Sequence, residues 1–217
     1  MSDVKRDPVR VRYLLQSLAR NLSTITEVST FIRDIQNVAG DDISRPTVVD
    51  YLDALDRLMI IEDQPAWNTH IRSSAKLRKS PKRHFADVSL AIACLGLDSS
   101  ALFSDLNYTG FVFKSQVIHD LRVYASRLGA DVCYYRDSSG LEVDAVVEKP
   151  NGDCAIFEVK LGDGFVDEGA GALTALTKNV VEGKGRRILS RSVIVGSGYA
   201  YTRPDGINVI PLSALGV

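Results

Sequence analysis

Apolar side chains recur at helical spacing along the first third of the chain. The periodic stretches cover residues 8–22, 28–35 and 48–59, and the pattern predicts one amphipathic helix for each. We expect Ser23 or Thr24 to cap the second helix, because a hydroxyl can accept a hydrogen bond from a free amide of the first turn. After the third helix the chain reads as a short extended segment.

Three short helices and a strand are typical of a winged helix-turn-helix, which we predict for residues 1–70. In such a module the third helix can lie in the major groove of DNA, with Arg45, Thr47 and Asp50 nearest the bases. Three aspartates on this helix would repel phosphate: Asp50, Asp53 and Asp56. Small three-helix units also pack against other domains, so both interpretations stay open.

The densest block of positive charge follows this segment. We assign residues 71–100 to a basic connector, in which Ser80 and Pro81 mark a turn. Its side chains either contact DNA phosphates, which would make binding depend on salt, or are simply solvated. The candidate phosphate-binding residues are Lys76, Arg78, Lys79, Lys82 and Arg83.

The second half of the chain mixes helical and strand periodicity, which predicts an α/β domain over residues 101–217. Its elements come in the order helix, three strands, helix and two further strands. Their ranges are 117–128, 131–136, 141–148, 154–160, 170–179, 192–196 and 207–210.

Acidic and basic side chains coincide on two neighbouring strands of this domain. The two-residue period of a strand places Glu142 and Asp144 on one face, and it places Glu158 and Lys160 together on the next strand. A hairpin centred near Asn151 brings Asp144 opposite Glu158 to within about one residue. The other face of the first strand is apolar, with Leu141, Val143, Ala145 and Val147.

These side chains have a pattern suited to metal-assisted phosphodiester hydrolysis. Two carboxylates about 4 Å apart repel by roughly 4 kcal/mol in a partly covered site, so another group must compensate their charge. Mg²⁺ held by Asp144 and Glu158 would do so, since hard cations prefer oxygen ligands. The metal would activate water, and Lys160 would stabilise the negative charge that develops. A surface salt-bridge cluster is the alternative.

Two stretches of the chain resemble the PD-(D/E)XK signature of nucleases, LEVDAVVE and CAIFEVKLG. Other stretches resemble the domain of unknown function that follows the ATPase domain in a family of prokaryotic AAA-type ATPases. These are YLDALDRLMIIEDQPAW, KRHFADVSLA, FVFKSQVIHDLRVYA and GYAYTRPDGINVIPLSAL. The resemblance implies a winged helix followed by a restriction-endonuclease-like domain, with a P-loop ATPase domain or a related subunit as partner.

One helix of the second domain departs from the family pattern. The resemblance implies a glutamate that often completes the metal site, at a position where this chain has Lys114. A lysine that reached Asp144 and Glu158 would neutralise them without a metal ion. Glu142, on the strand of Asp144, could partly substitute for the missing carboxylate.

The bulk composition narrows the setting of the protein. A net charge of −1 gives no general attraction to nucleic acid, so DNA binding would need a local patch. Three widely spaced cysteines favour buried thiols and a cytoplasmic location, and no apolar stretch is long enough for a membrane span. The motif G-x-x-x-x-G-K-[ST] does not occur, so we expect no ATPase activity. The start of the chain resembles the middle of the family pattern, which favours a truncated or standalone form.

Three functions are consistent with these patterns. The first is a DNA-binding, nuclease-like C-terminal module of an AAA-type ATPase that lacks the ATPase domain itself. The second is an active Mg²⁺-dependent DNA endonuclease. The third is a protein-interaction scaffold that uses the fold without its chemistry.

Overall fold

The computed structural model describes residues 6–67, 80–181 and 186–216. The chain divides into two compact units, and both combine helices with strands. The first unit comprises Met1–Asp63 and Ser80–Val112, and the second comprises Gln64–Lys79 and Phe113–Val217. The α/β class expected from the periodicity is therefore confirmed, while the unit boundaries differ from those drawn on the sequence.

The first unit is mainly helical, with one two-stranded sheet formed by its strands β1 and β2. Its elements are α1 (Pro8–Arg20), α2 (Val28–Ala39), α3 (Arg45–Arg57), β1 (Ile61–Gln64), β2 (Lys82–Phe85), α4 (Val88–Cys94) and α5 (Ser99–Ser104). The first residues of a longer helix, α6 (Leu106–Ser126), complete it.

The three predicted helices of this unit form with their apolar stripes inward. Leu14, Phe31 and Val48, one from each helix, are fully buried in a shared core. Asp7 caps α1, because its side chain accepts a hydrogen bond from the amide of Val9 at 2.9 Å. Periodic burial and a local cap thus act together to place α1.

The start of α2 differs from the expectation. Glu27 occupies the N-cap position, and its side chain makes no capping hydrogen bond. Ser23 has a φ of 61°, and the hydroxyl of Thr24 donates to the carbonyl of Asn21 at 2.7 Å. Both hydroxyl residues belong to the turn before the helix, so their prediction as caps was wrong. Gly40 ends α2 in the left-handed conformation, with a φ of 74°.

Regular structure replaces the connector expected after the first helices. Residues 82–104 form β2, α4 and α5, and all four residues of β2 are buried. The side chains of Asp87 and Asp98 cap the two helices by accepting from backbone amides at 2.8 Å. Strand β2 was not predicted because it begins with Lys82 and Arg83, and a run of charged residues in a sequence is usually solvated.

The second unit is a six-stranded mixed sheet with a helix on each face. Its elements are α6 from Phe113 onward, β3 (Asp131–Arg136), β4 (Glu142–Glu148), β5 (Asp153–Lys160), α7 (Val166–Val181), β6 (Arg187–Val195), β7 (Tyr201–Thr202) and β8 (Asn208–Pro211). The strand order is β3-β4-β5-β6-β8-β7. The pairs β5/β6 and β6/β8 are parallel, and the other three pairs are antiparallel.

Two apolar clusters cover the two faces of this sheet. One packs Leu173 and Leu176 of α7 against Val193 and Val195 of β6. The other packs residues of α6 against Ile194, the residue between those two valines. Because successive side chains of a strand point to opposite faces, α6 and α7 lie on opposite sides of the sheet.

The hairpin of β4 and β5 has the register predicted from the sequence. Ala145 lies opposite Phe157, so Asp144 and Glu158 come one position beyond the last pair of this ladder. On its other side, β4 changes register against β3 at this point. This irregularity moves Val143 into the α7 cluster and leaves Ala145 in the α6 cluster, so their prediction on one face was wrong.

Two bulk expectations bear on the setting of the chain. Cys94, Cys133 and Cys154 are free thiols, the last two buried, which agrees with the expectation of unpaired cysteines. Among the helices in the described part of the chain, none has the length and apolar character needed to cross a bilayer.

Candidate functional site

The candidate site lies where β4 and β5 stop pairing through their backbones. The amide of Asp144 donates to Oε1 of Glu158 at 3.3 Å, and the amide of Val159 donates to Oδ2 of Asp144 at 3.0 Å. Each carboxylate thus accepts a hydrogen bond from a backbone amide of the facing strand, which in a regular ladder a backbone carbonyl would accept. This reciprocal pair closes the gap between the strands and fixes the two side chains relative to each other.

The backbone of Asp144 is held as firmly as its side chain. Gln64, fully buried, donates from Nε2 to the carbonyl oxygen of Asp144 at 2.8 Å. Pro65 and Trp67 exchange backbone hydrogen bonds with Tyr134 of β3, at 2.9 and 2.6 Å. Gln64 is therefore anchored to the same sheet as Asp144, which leaves the aspartate little freedom to move.

Lys114 on α6 forms an ion pair with the aspartate. Its Nζ lies 2.6 Å from Oδ1 of Asp144, and the side chains are 21% and 4% exposed. Both Oδ atoms of Asp144 therefore have a donor, one from a backbone amide and one from an ammonium group. The lysine singled out in the sequence reaches the carboxylate pair.

Lys160 covers the other carboxylate. Its Nζ lies 3.4 Å from Oε2 of Glu158 and 2.8 Å from Oε1 of Glu168, which belongs to the first turn of α7. Glu158 and Lys160 are largely buried, whereas the side chain of Glu168 is 69% exposed. Lys160 thus joins the interior of the site to its solvent edge.

The close approach of α7 to this edge depends on a glycine. A β-carbon on Gly169 would lie 3.2 Å from Cβ of Glu158, 3.3 Å from Cγ2 of Val193 and 3.4 Å from Cε of Lys160. These distances are shorter than comfortable carbon contacts. Glycine at this position lets the helix pack on the two charged residues without displacing them.

Burial and neighbouring charges perturb the protonation of the site. Burial and the Asp144 carboxylate raise the pKa of Glu158, and the two lysines oppose this effect only in part. Burial alone would lower the pKa of Lys114, but Asp144, Glu158 and Glu142 outweigh it and raise that pKa above its ordinary value. The lysine is consequently charged at neutral pH.

Glu142 lies at the margin of the site. Its Oε2 is 3.7 Å from Nη1 of Arg136 in a partly exposed ion pair, and its charge adds to the raised pKa of Lys114. It therefore acts on the lysine through space, and Arg136 already balances it. The expectation that Glu142 serves as a replacement ligand stays a prediction.

The donor set of the site does not suit a divalent cation as it stands. All four carboxylate oxygens of Asp144 and Glu158 have a donor: Lys114, the Val159 amide, the Asp144 amide and Lys160. In residues 6–67, 80–181 and 186–216, no group of three or more His, Cys, Asp or Glu side chains could hold a metal ion. A cation between the two carboxylates would have to displace the ammonium group of Lys114.

The residues predicted to contact nucleic acid are dispersed. Arg45 is exposed at the start of α3, and the hydroxyl of Thr47 lies 2.8 Å from that of Ser44, the cap of the same helix. Lys82 and Arg83 are buried, at 2% and 9% exposure, so they do not present charge to a phosphate backbone. Three predicted contacts, Lys76, Arg78 and Lys79, lie outside the described residues.

Arg83 has an evident structural role within the first unit. Its Nη1 donates to the carbonyl of Thr26 at 2.9 Å, its guanidinium lies 5.2 Å from the centre of the Phe31 ring, and Nε is 3.4 Å from Oδ1 of Asp63. Burial lowers its pKa, and the Asp63 carboxylate opposes that effect. Its prediction as a phosphate contact is corrected by this burial.

Sequence reasoning missed three residues that shape the site. Gln64 is far from the motif along the chain, and no local pattern marks it. Glu168 follows Asp167 in an acidic first turn, a signal for the start of α7 but not for contact with Lys160. Gly169 carried a usable signal, because a glycine within a helical stretch often marks close packing.

Two families of unknown function match the two halves of the chain. Residues 2–101 match the Domain of unknown function (DUF8612), and residues 109–215 match the Domain of unknown function (DUF4143). The second is a domain found with AAA ATPases, which agrees with the broader part of the family resemblance. No curated protein matches the chain.

One solved structure has a weak similarity to the chain. It is described as a refined half-complex from a tetradecameric assembly of Thermococcus gammatolerans McrB AAA+ hexamers with bound McrC. The identity is 12%, the match covers 94% of this chain and 70% of that chain, and the TM-score is 0.31. A score this low carries no argument about fold or function.

Proposed function

We propose that the chain is a DNA-binding, nuclease-like module that works with an AAA-type ATPase and does not itself cut DNA. The observation that carries the nuclease-like part is the reciprocal pairing of Asp144 and Glu158, with Lys160 two residues further on. This trio lies in the order helix, three antiparallel strands, helix and parallel strand, the arrangement expected of a PD-(D/E)XK domain. The proposal that the module does not cut is supported by Lys114, which pairs with an oxygen of Asp144 that a catalytic metal ion would need.

The ATPase part of the proposal is supported by the match of residues 109–215 to a domain found with AAA ATPases. An accessory domain on such a motor gives it a substrate or a docking site, while the motor supplies the energy. We therefore propose a P-loop ATPase domain or a related subunit as the protein partner. Affinity purification from the native cells, with mass spectrometry, should recover a P-loop ATPase together with this chain. Recovery without any such ATPase would contradict this part.

For the DNA part, we propose that the first unit acts as a winged helix-turn-helix and contacts duplex DNA through the start of α3. Arg45 is the exposed cation there, and it would bind phosphate or a base edge. In fluorescence anisotropy with the full chain and a labelled duplex, Arg45→Ala should weaken binding about tenfold. Arg12→Ala on α1, which replaces another exposed arginine, should change binding little.

The salt dependence of DNA binding distinguishes contact with phosphates from adhesion that does not depend on charge. Each phosphate contact that is lost should reduce the slope of log K against log salt by about one unit. Binding that is insensitive to salt, or equal for the Arg45 and Arg12 variants, would rule out the proposed role of α3.

The active-endonuclease alternative has a direct assay. The full chain, incubated with supercoiled plasmid and Mg²⁺ or Mn²⁺, should produce no more nicking than it does with a chelator. Metal-dependent nicking that is lost in Asp144→Ala and Lys160→Ala would establish instead the Mg²⁺-dependent endonuclease that these residues predict. Nicking that persists in both variants would come from a contaminant.

A second candidate, the protein-interaction scaffold, is favoured by the surface of the first unit. Among the described residues of this unit, six large apolar side chains are more than half exposed, and the four most exposed are Leu58 at 68%, Met59 at 79%, Phe103 at 80% and Leu106 at 61%. Exposed apolar side chains of this size mark interaction surfaces when they are contiguous. Replacing Phe103 and Leu106 with serine should abolish recovery of the ATPase if this surface carries the association, and should leave DNA binding intact.

A further inference from the structure

The outer side of α7 borders an open groove on the second unit. The groove has a volume of about 460 Å³ and lies between the helix and the turn that joins β7 to β8. Its helix side is formed by Asp167, Gly171, Thr174, Ala175 and Lys178. Residues with this spacing share one face of a helix. The three middle residues are small, so this face is low between two charged side chains.

The same helix packs on the sheet with its opposite face. Leu173 and Leu176 are fully buried there, whereas Gly171 and Lys178 are exposed and the side chain of Asp167 is 89% exposed. The outward face of a surface helix is normally polar along its whole length. Here small residues occupy its centre, and small residues at a contact let two helices approach closely.

The charged side chains that line the groove balance one another. On the hairpin side, Arg203 forms ion pairs with both Asp167 and Asp205. Lys178, at the other end of the face, supplies the second positive charge. Two cations and two carboxylates leave no net charge, so the groove has no general attraction for a phosphate backbone. For the same reason, two copies of the groove would not repel each other.

We propose that this face is a contact between two copies of the chain, in which α7 packs against α7 in antiparallel orientation about a two-fold axis. Asp167 and Lys178 are equally distant from the centre of the face, and so are Gly171 and Thr174. Antiparallel packing therefore brings Asp167 of one copy opposite Lys178 of the other. Because the two-fold axis repeats every contact, both of these opposite-charge pairs form at once. The face is thus complementary to itself in charge.

The size of the face sets the strength of the contact. The eleven-residue step from Asp167 to Lys178 spans about 16 Å of helix. Two helices that touch over this length cover less than the roughly 1,000 Å² expected of a stable interface. The dimer should therefore be weak and reversible, with monomers predominating in dilute solution.

Sedimentation velocity of the full chain, from about 1 µM to about 1 mM, tests the proposal. The wild type should pass from monomer to dimer as its concentration rises. Lys178→Asp should raise the dissociation constant at least about tenfold, because it places an acid opposite Asp167 at two symmetric positions. Arg127→Asp is the matched control, since it makes the same charge change at an exposed residue directly after α6 and should have no effect.

Mixing two variants tests the antiparallel pairing itself. Asp167→Lys gives the face a lysine at both ends, and Lys178→Asp gives it an aspartate at both ends. Each variant alone should dimerise more weakly than the wild type, whereas an equimolar mixture should form a heterodimer about as tight as the wild-type dimer. A mixture that associates no more tightly than either variant alone overturns the antiparallel pairing.

Two further results would overturn the contact as a whole. One is a wild-type chain that stays monomeric over the entire concentration range. The other is a dimer that survives Thr174→Arg, which would place a long charged side chain near the centre of the contact. This inference does not rest on the proposed function. Self-association is read from the mass of the purified chain and the association with an ATPase from protein recovery, so either can fail without the other.

Discussion

Both units bury charged side chains, but the first unit surrounds a buried arginine and the second surrounds two buried carboxylates. In the first unit, Arg83 lies against the Phe31 ring, a backbone carbonyl and a single aspartate. In the second, Asp144 and Glu158 are each held by an ammonium group and a backbone amide. A guanidinium is delocalised and weakly hydrated, so an aromatic face and a carbonyl can satisfy much of it.

Carboxylates are more demanding, because every oxygen taken from water needs a donor. The second unit meets this demand by ending a strand ladder early and giving its free amides to the carboxylates. Buried charge in the first unit is thus a matter of packing, and in the second it is a matter of strand register. The predictions below test that contrast, beginning with the largest expected effect.

Asp144→Ala should be the most destabilising single change at the site. It leaves the buried Lys114 without its partner and the Val159 amide without an acceptor, and losing one partner of a buried pair costs about 3–5 kcal/mol. Urea denaturation of the full chain measures this loss. Glu168→Ala breaks a solvent-exposed pair and should cost no more than about 1 kcal/mol. Equal losses for both variants would mean that Asp144 is not truly buried.

Glu158 should make stability depend on pH. Its pKa is raised in the folded state, so between the unfolded and folded pKa values the folded chain binds more protons and stability falls as pH rises. The slope for one proton is at most about 1.4 kcal/mol per pH unit. Glu158→Gln should flatten it over about pH 5 to 8, while Glu168→Gln should leave it unchanged. A wild-type stability that rises over this range would contradict the raised pKa.

Arg83→Met should destabilise the first unit without a direct effect on DNA binding. The variant keeps an apolar side chain of similar length but loses the hydrogen bond to Thr26 and the contact with Asp63, at a cost of about 1–3 kcal/mol. Arg12→Ala on the exposed face of α1 is the control and should be nearly neutral. If the variant bound DNA more weakly but kept its full stability, this prediction would be wrong and Arg83 would be a phosphate contact.

Two glycines of α7 offer the smallest and most closely matched test. Gly171→Ala should stabilise the chain by about 0.5–1 kcal/mol, because nothing lies within 4 Å of the added carbon and alanine favours a helix. Gly169→Ala should lose that gain and cost about 1 kcal/mol more, since its β-carbon would press on Glu158 and Lys160. Thermal unfolding of both variants reads the difference, and a stabilising Gly169→Ala would mean that α7 is free to shift.

The three strands that form the candidate site in the second unit could be predicted closely from the sequence. The bounds of β3 match the prediction at both ends, and those of β4 and β5 match to within one residue, because alternating apolar residues and clear turns define them. The register of the hairpin follows from the position of the turn near Asn151. The proximity of Asp144 and Glu158 could therefore be predicted from residues that are near each other in the sequence.

The first unit was predicted where its periodicity is helical and at the short extended segment after the third helix, where β1 lies. The stripes of α1, α2 and α3 are visible in the sequence, but β2 is not, because Lys82 and Arg83 begin a four-residue strand. A short strand has too few positions for its alternation to outweigh two charges. Its burial comes from partners elsewhere in the chain, among them Phe31 and Asp63 for Arg83.

By itself, the sequence determined the order of elements in the second unit apart from the two-residue strand β7, the pairing of two carboxylates across a hairpin and the lysine two residues beyond. These depend on neighbours along the chain, where turn chemistry and the period of a strand set the geometry. Only the tertiary structure decided that Lys114 lies on Asp144, that Gln64 holds its carbonyl and that Gly169 admits α7. Those contacts join residues that are distant in sequence, and their distances depend on how helices pack on the sheet, which no local pattern specifies.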